Sequence, residues 1–210
     1  IISKLNKAAE DSWKAEYKID PGPAIRIARL NVKVNSEVSD DEVFSAYLAN
    51  LPLKTGDIFL HSEYEQVKST LLRDASERGF FDARFVAHRV EVDMQAYSVN
   101  VELDFSGGQR YAYGDVQYTQ GLLDIELMQR YIQIEKGQPY LLEDLISLQQ
   151  ALNDSDFFQS AEVSPGAPDS DSYQVPVIVN LKPRKNNRYS LGLGYGTDTG
   201  ARLHFGWEKP

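Results

Sequence analysis

One spacing recurs along this chain and limits what it can fold into. Tyr64, Leu71 and Ala75 stand sixteen, nine and five positions before Phe80, and Leu141, Leu148 and Leu152 stand at the same distances before Phe157. The offset between the copies is 77 residues. In each copy an apolar helical face runs into an aromatic corner, Arg78-Gly79-Phe80-Phe81 in the first and Asp156-Phe157-Phe158 in the second. A period of this size marks a repeated supersecondary unit with its own small core. One phenylalanine of each pair, Phe80 and Phe157, is expected to plug the gap between helix and sheet, beside Leu71 and Leu148.

An irregularity repeats as well. Ile25 and Ile27 are followed, after Ala28-Arg29, by Leu30, Val32 and Val34, so the apolar positions change parity. A one-residue change of parity is what a β-bulge produces. Tyr111 and Tyr113 give way after Gly114-Asp115 to Val116 and Tyr118 in the same manner, 86 residues later.

The stretches between these marks have the periods of helices and strands. Ser39 with Glu42 and Ser62 with Glu65 have the capping-box spacing, which predicts helix starts at both places. The first helix carries Val43, Phe44, Tyr47 and Leu48, and the second carries Tyr64, Val67, Leu71 and Ala75. Gly79 suits a left-handed C-cap, the conformation glycine enters without steric cost. In the second copy, Ile125, Leu127, Met128, Tyr131 and Ile132 predict the short helix, and Leu141, Leu145, Leu148 and Leu152 the long one. Two alternating segments close each copy: Phe81 to Asp93 with Val99 to Phe105, and Phe158 to Ser164 with Val175 to Leu181. The order is strand, helix, helix, strand, strand, twice. Ile1 to Ile19 reads as a hairpin, the tail of a preceding unit whose start lies before Ile1.

After Leu181 the pattern changes. Tyr189, Leu191, Leu193 and Tyr195 alternate with Ser190 and glycines, and Ala201, Leu203, Phe205 and Trp207 alternate with Arg202, His204, Gly206 and Glu208. An apolar face with aromatics at its ends, backed by a small or polar face, is the dyad pattern of a transmembrane β-strand, and a soluble hairpin has the same alternation. No apolar run is long enough for a transmembrane helix.

Composition excludes several chemistries. The net charge is −9, which lacks the basic footprint of a nucleic-acid binder. With no cysteine, disulfides and thiol catalysis are ruled out. His61, His88 and His204 have no metal-ligand spacing, and Gly192-x-Gly194-x-Gly196 lacks the third glycine and the βαβ context of a dinucleotide loop. Asp169-x-Asp171 is a fragment of a calcium loop without its following glycine and distant glutamate. No catalytic, cofactor or metal residue is assigned, and the expectation is a non-enzyme.

Together, Leu53-Lys54-Thr55-Gly56-Asp57 with Tyr64-Glu65, Arg78-Gly79-Phe80-Phe81-Asp82 with Phe85, and Ser106-Gly107-Gly108-Gln109-Arg110-Tyr111 resemble the polypeptide-transport-associated (POTRA) repeats of outer-membrane assembly proteins. Gly192-Leu193-Gly194-Tyr195-Gly196-Thr197-Asp198 resembles the first barrel strand and turn of the same proteins. The resemblance implies an α+β fold of tandem β-α-α-β-β POTRA domains, each a three-stranded mixed sheet covered by two helices, followed by the first strands of a transmembrane β-barrel. It places the end of a first POTRA at 1–20, a second at 21–106, a third at 107–184 and the barrel start at 185–210. It further implies a location in the Gram-negative outer membrane with this segment in the periplasm. The partners it implies are a TamB-like protein anchored in the inner membrane and unfolded outer-membrane clients such as autotransporters. A two-partner secretion pore and a soluble periplasmic scaffold are the alternatives.

Three-stranded sheets leave edges that can template an extended partner strand. With the strand order the resemblance implies, the strand after each phenylalanine pair is the candidate edge. Its residues are Ala83, Phe85, Val86, Val90 and Val92 in the first copy and Ser160 and Val163 in the second.

Overall fold

The computed structural model describes residues 2–9, 12–18, 22–118, 133–155, 157–183, 188–196 and 200–208. The chain divides into two compact units, Ile1–Asp74 with Asp82–Gly108, and Ala75–Phe81 with Gln109–Pro210. The short helix expected around 125–132 lies outside the described residues.

The first unit begins with an antiparallel hairpin, β1 (Ile2–Ala9) and β2 (Ser12–Lys18). Its sheet has the order β3-β5-β4, from β3 (Arg26–Val34), β4 (Arg84–Asp93) and β5 (Ser98–Ser106). The central β5 is parallel to β3 and antiparallel to β4. Its alternate residues Val99, Val101, Leu103 and Phe105 are wholly buried, the period of a strand packed on one face. Buried helical residues complete the core: Val38 of α1 (Ser36–Ser39), Phe44 of α2 (Glu42–Ala49), and Tyr64, Val67 and Leu71 of α3 (His61–Glu77). The expected bulge is present, since the β3–β5 register slips between Ile27 and Arg29.

Both helix starts differ from the capping-box expectation. α2 is capped by Asp41, whose carboxylate accepts from the Val43 N–H at 3.0 Å. Two residues nearer the helix than Ser39, and an acceptor at the positive end of the helix dipole, Asp41 is the better cap. α3 begins at His61, with the Leu60 carbonyl accepting from Glu63 and Tyr64, so Ser62 lies inside the helix. The other end of α3 is as expected. Gly79 has φ 85°, Phe80 N–H donates to Ala75 at 2.8 Å and Gly79 N–H to Ser76 at 3.3 Å, the two bonds of a Schellman motif. A side chain at Gly79 would also come within 3.0 Å of Tyr140 Cβ.

The second unit repeats the sheet as β6-β8-β7, from β6 (Ala112–Tyr118), β7 (Phe158–Pro165) and β8 (Gln174–Pro183). Its bulge falls between Tyr113 and Val116, as the parity change predicts. α4 (Leu142–Asp154) buries Leu145, Leu148 and Leu152 against Val175, Val177, Val179 and Leu181. Tyr111, Tyr113 and Tyr140 fill the same core, and Phe81 packs edge-on against it, 5.4 Å from Tyr111 and 5.0 Å from Tyr140. No side chain caps α4 at Leu141 in the usual way. Instead the Tyr113 hydroxyl donates to the Leu141 carbonyl at 2.6 Å and accepts from the Leu141 N–H at 3.1 Å. Burial pushes the Tyr113 phenol pKa far up, with Asp144 adding to the shift.

A final hairpin, β9 (Arg188–Gly196) with β10 (Gly200–Glu208), pairs Leu193 with Leu203 and Leu191 with Phe205.

The aromatic corner is not a true repeat. Leu30 pairs with Val101 and Val116 with Val177, so Val163, opposite Val179, takes the place that His88, opposite Leu103, holds 75 residues earlier. The helices repeat at 77, so the second copy has lost two residues between helix and strand, and β7 begins one position earlier than β4 does. Six residues (78–83) join α3 to β4, but only three (155–157) join α4 to β7. Phe80 is buried as expected, at 1% exposure, as are Leu71 and Leu148. Phe157 is not a core residue. It is 51% exposed, and Phe158, at 1%, takes the buried place.

Candidate partner-docking edges

Each three-stranded sheet has two edges, and the chain treats them differently. The outer side of β3 is covered by the turn after α2. Ile27 N–H donates to Asp57 at 2.9 Å, Gly56 N–H to Ile27 at 2.8 Å and Phe59 N–H to Ile25 at 2.9 Å. The same bonds cover β6. Tyr113 N–H donates to Gln138 and Gly137 N–H to Tyr113, both at 2.8 Å, and Tyr140 N–H donates to Tyr111 at 3.0 Å. The opposite edges, β4 and β7, are the strands that the sequence points to.

On β4 the register slips between Phe85 and Ala87, so Val86 is the extra residue of a bulge and stands 64% exposed. Phe85 is half-buried, its ring 5.1 Å from Phe105. Ala83, just before the strand, and Val90 are half-buried, and Val92 is exposed. Arg89 and Glu91 form an ion pair at 3.5 Å on the solvent face. Among the described residues, no group outside β5 hydrogen-bonds to the β4 backbone between Arg84 and Val92.

β7 is an edge strand too, but it is not open. Asn153 of α4 accepts from the Ala161 N–H at 2.8 Å and donates to the Ala161 carbonyl at 2.9 Å. Gln149 accepts from the Val163 N–H at 2.9 Å. Ser160 is exposed and Val163 half-buried, but the outward backbone at Ala161 and Val163 is already paired. The open second edge expected from the sequence is therefore corrected. The physical cause is the short connection, which brings the backbone of α4 close along β7, whereas α3 makes no comparable approach to β4 among the described residues.

A second exposed surface lies on the last hairpin. Leu191, Leu193, Tyr195, Leu203, Phe205 and Trp207 are each 60% or more exposed and share one face. The other face carries Gly192 opposite His204 and Gly194 opposite Arg202.

The residues weighed for chemistry are dispersed. His61 stacks on Tyr64 at 5.9 Å and lies 3.8 Å from Glu65, while His88 lies on β4, 6.3 Å from Phe85. Asp169 holds its own loop, accepting from the Asp171 N–H and the Ser172 hydroxyl, and these bonds lower its pKa. Among the described residues no group of three or more His, Cys, Asp or Glu is placed to hold a metal. The depression on the first sheet, lined by Arg29, Arg89, Glu91 and Glu102, has a volume of about 190 Å³, below the usual size of a ligand pocket.

Residues 25–108 match the POTRA family, described as a surface antigen variable number repeat. Two solved structures share the fold. BamA from Haemophilus ducreyi lacking POTRA domains 1–3 matches with a TM-score of 0.54 and 16% identity, over 87% of this chain and 34% of that one. The POTRA3–5 segment of BamA from Haemophilus influenzae matches at 0.51 and 15% identity, over 86% of this chain and 70% of that one. The chain thus spans about a third of the length of that Haemophilus ducreyi chain, which itself lacks POTRA domains 1–3. Its three-stranded mixed sheets and helices are like those of POTRA domains.

Proposed function

We propose that this chain is the periplasmic, non-catalytic part of an outer-membrane protein that assembles, inserts or translocates other outer-membrane proteins. Its units 21–106 and 107–184 act as the second and third of three POTRA domains, with 1–20 the end of the first and 185–210 the start of a barrel. The motif pattern resembles TamA, which gives a TamB-like periplasmic partner and outer-membrane clients such as autotransporters. The family match over 25–108 and the fold shared with BamA support the general reading. The exposed apolar face of β9–β10 supports the barrel assignment, because only lipid or protein would cover such a face.

One observation carries the docking mechanism: β4 is an edge with no partner on its outer backbone among the described residues, whereas β3 is covered by its turn. An extended client adds to β4 through main-chain bonds, and exposed Val86 and Val92 meet its alternate apolar side chains. The Phe105 carbonyl accepts from the Asn35 N–H at the β3 side, so Val101, four residues earlier on β5, also turns its backbone toward β3 and away from Val90 opposite it. The N–H of Val90 therefore points outward. Val90→Pro removes an outward donor without breaking the ladder to β5, as proline is tolerated on sheet edges. Crosslinking from β4 in cells is expected to capture client chains in the parent and to lose them in Val90→Pro, with thermal stability retained. Equal capture by a folded Val90→Pro protein sinks strand addition at β4.

A further inference from the structure

The second unit contains a device with no counterpart in the first. Gln149 and Asn153 are four residues apart and lie on one face of α4. Asn153 bonds both the N–H and the carbonyl of Ala161, and Gln149 bonds the N–H of Val163. A side-chain amide is chemically a peptide group, with one acceptor oxygen and two donors. The paired bonds at Ala161 are those a residue of a neighbouring strand would make. The helix thus occupies the positions an added strand would need.

The repeat shows what the first unit has instead. At the helix offset of 77, Gln149 corresponds to Leu72 and Asn153 to Ser76. Leucine has no hydrogen-bonding group, and serine is too short to replace asparagine across the same gap. Leu72 is 40% exposed, and Phe85 and His88, opposite Phe105 and Leu103 as Ala161 and Val163 are opposite Leu181 and Val179, have no partner outside β5 on their backbone among the described residues.

We propose that Gln149 and Asn153 form an amide latch that closes the β7 edge, so that an extended polypeptide strand adds to β4 of the first unit and is refused by β7 of the second. The latch makes the two copies unequal: one is a docking edge, the other a closed spacer. This inference rests on the strand-addition reading above, and the test separates the two.

The probe is a synthetic peptide copying residues 188–196, an amphipathic strand sequence. A benzophenone amino acid is placed at Val86 or at its exposed bulge counterpart Gln159, in the parent chain and in Gln149→Leu/Asn153→Ser, which installs the first unit's residues. The expected result is capture from Val86 in both backgrounds, and capture from Gln159 only in the double variant. Amide exchange provides an independent readout. Ala161 and Val163 should exchange about tenfold faster in the double variant, while the central-strand amides of Val177 and Val179 stay protected, showing that the unit remains folded. If those central amides also lose protection, the single variant Gln149→Leu, which keeps both Asn153 bonds, replaces it, with faster exchange expected at Val163 alone. Capture from Val86 but not from Gln159 in a folded double variant overturns the latch and leaves strand addition standing. Capture from Gln159 in the parent also overturns the latch. Absence of capture from both sites in both backgrounds overturns strand addition itself.

Discussion

At the residue scale, the two phenylalanines of the second corner have opposite fates. Phe158 is buried to 1% and Phe157 is half exposed. Phe158→Ala is expected to cost about 3–5 kcal/mol, the range for a buried aromatic, and Phe157→Ala about 0.5 kcal/mol or less. Urea unfolding of the two variants checks this, and equal midpoints would contradict the burial. Phe80→Ala belongs with Phe158→Ala, because Phe80 is just as buried. Tyr113 makes a second residue-scale case. Burial raises the pKa of Tyr113 and of Tyr140, so the fold favours the neutral phenols. A raised folded pKa contributes stability that is complete below the ordinary tyrosine value near 10 and is lost as pH rises through the folded values. The second unit should therefore weaken from about pH 10 upward. Urea midpoints measured at about pH 8 and about pH 11 are expected to differ less in Tyr113→Phe than in the parent. At neutral pH that variant loses about 1–3 kcal/mol, because the Leu141 N–H loses its acceptor.

At the element scale, the length of a single connection separates the two copies. Six residues between α3 and β4 leave room for the Schellman turn and for Gly79 at φ 85°. Three residues between α4 and β7 do not, and α4 leaves through Ser155 in an extended conformation. The shorter link presses α4 onto β7 and lets Gln149 and Asn153 reach the strand. Edge strands are a liability in any sheet protein, and covering them is a common remedy. Among the described residues of the two three-stranded sheets, β3 and β6 are covered by turns and β7 by side chains, which leaves β4. Gly79→Ala is expected to destabilise by 1 kcal/mol or more, from positive φ and from the close approach to Tyr140. Gly56, also at positive φ but in open space, isolates the conformational part of that cost in the matched variant Gly56→Ala. Thermal melts showing an equal loss for both would remove the packing contribution.

At the scale of the whole molecule, the strongly apolar surface that the acidic chain of net charge −9 shows among its described residues is the face of β9–β10. Contiguous exposed apolar faces of this kind seek lipid or protein. Leu193→Ser/Phe205→Ser lies on that face alone and is expected to reduce detergent binding and self-association without shifting the urea midpoints of either unit. Light scattering with and without detergent measures the effect. Unchanged association in the double variant would mean that another surface drives it.

Periodicity along the chain determined the three strands and the long helix of each copy, the bulges at Ala28 and Gly114-Asp115, the glycine cap of α3 and the buried residues of the central strands. These are local features, set by side-chain spacing and backbone freedom within a few residues, and a linear pattern records them. It misplaced Ser39 and Ser62 as caps, because several polar residues at a helix start compete and geometry selects among them. It also took Phe157 for Phe158, because a helix offset of 77 was carried into a strand that repeats at 75. Only the tertiary structure decided which edges are open. The bonds from Asn153 to Ala161 and from Gln149 to Val163 span eight and fourteen residues and depend on how close a helix lies to a strand. The residues of the latch were nevertheless visible in the sequence, as amides standing where the first copy has Leu72 and Ser76. What they hold became evident only once helix and strand were packed together.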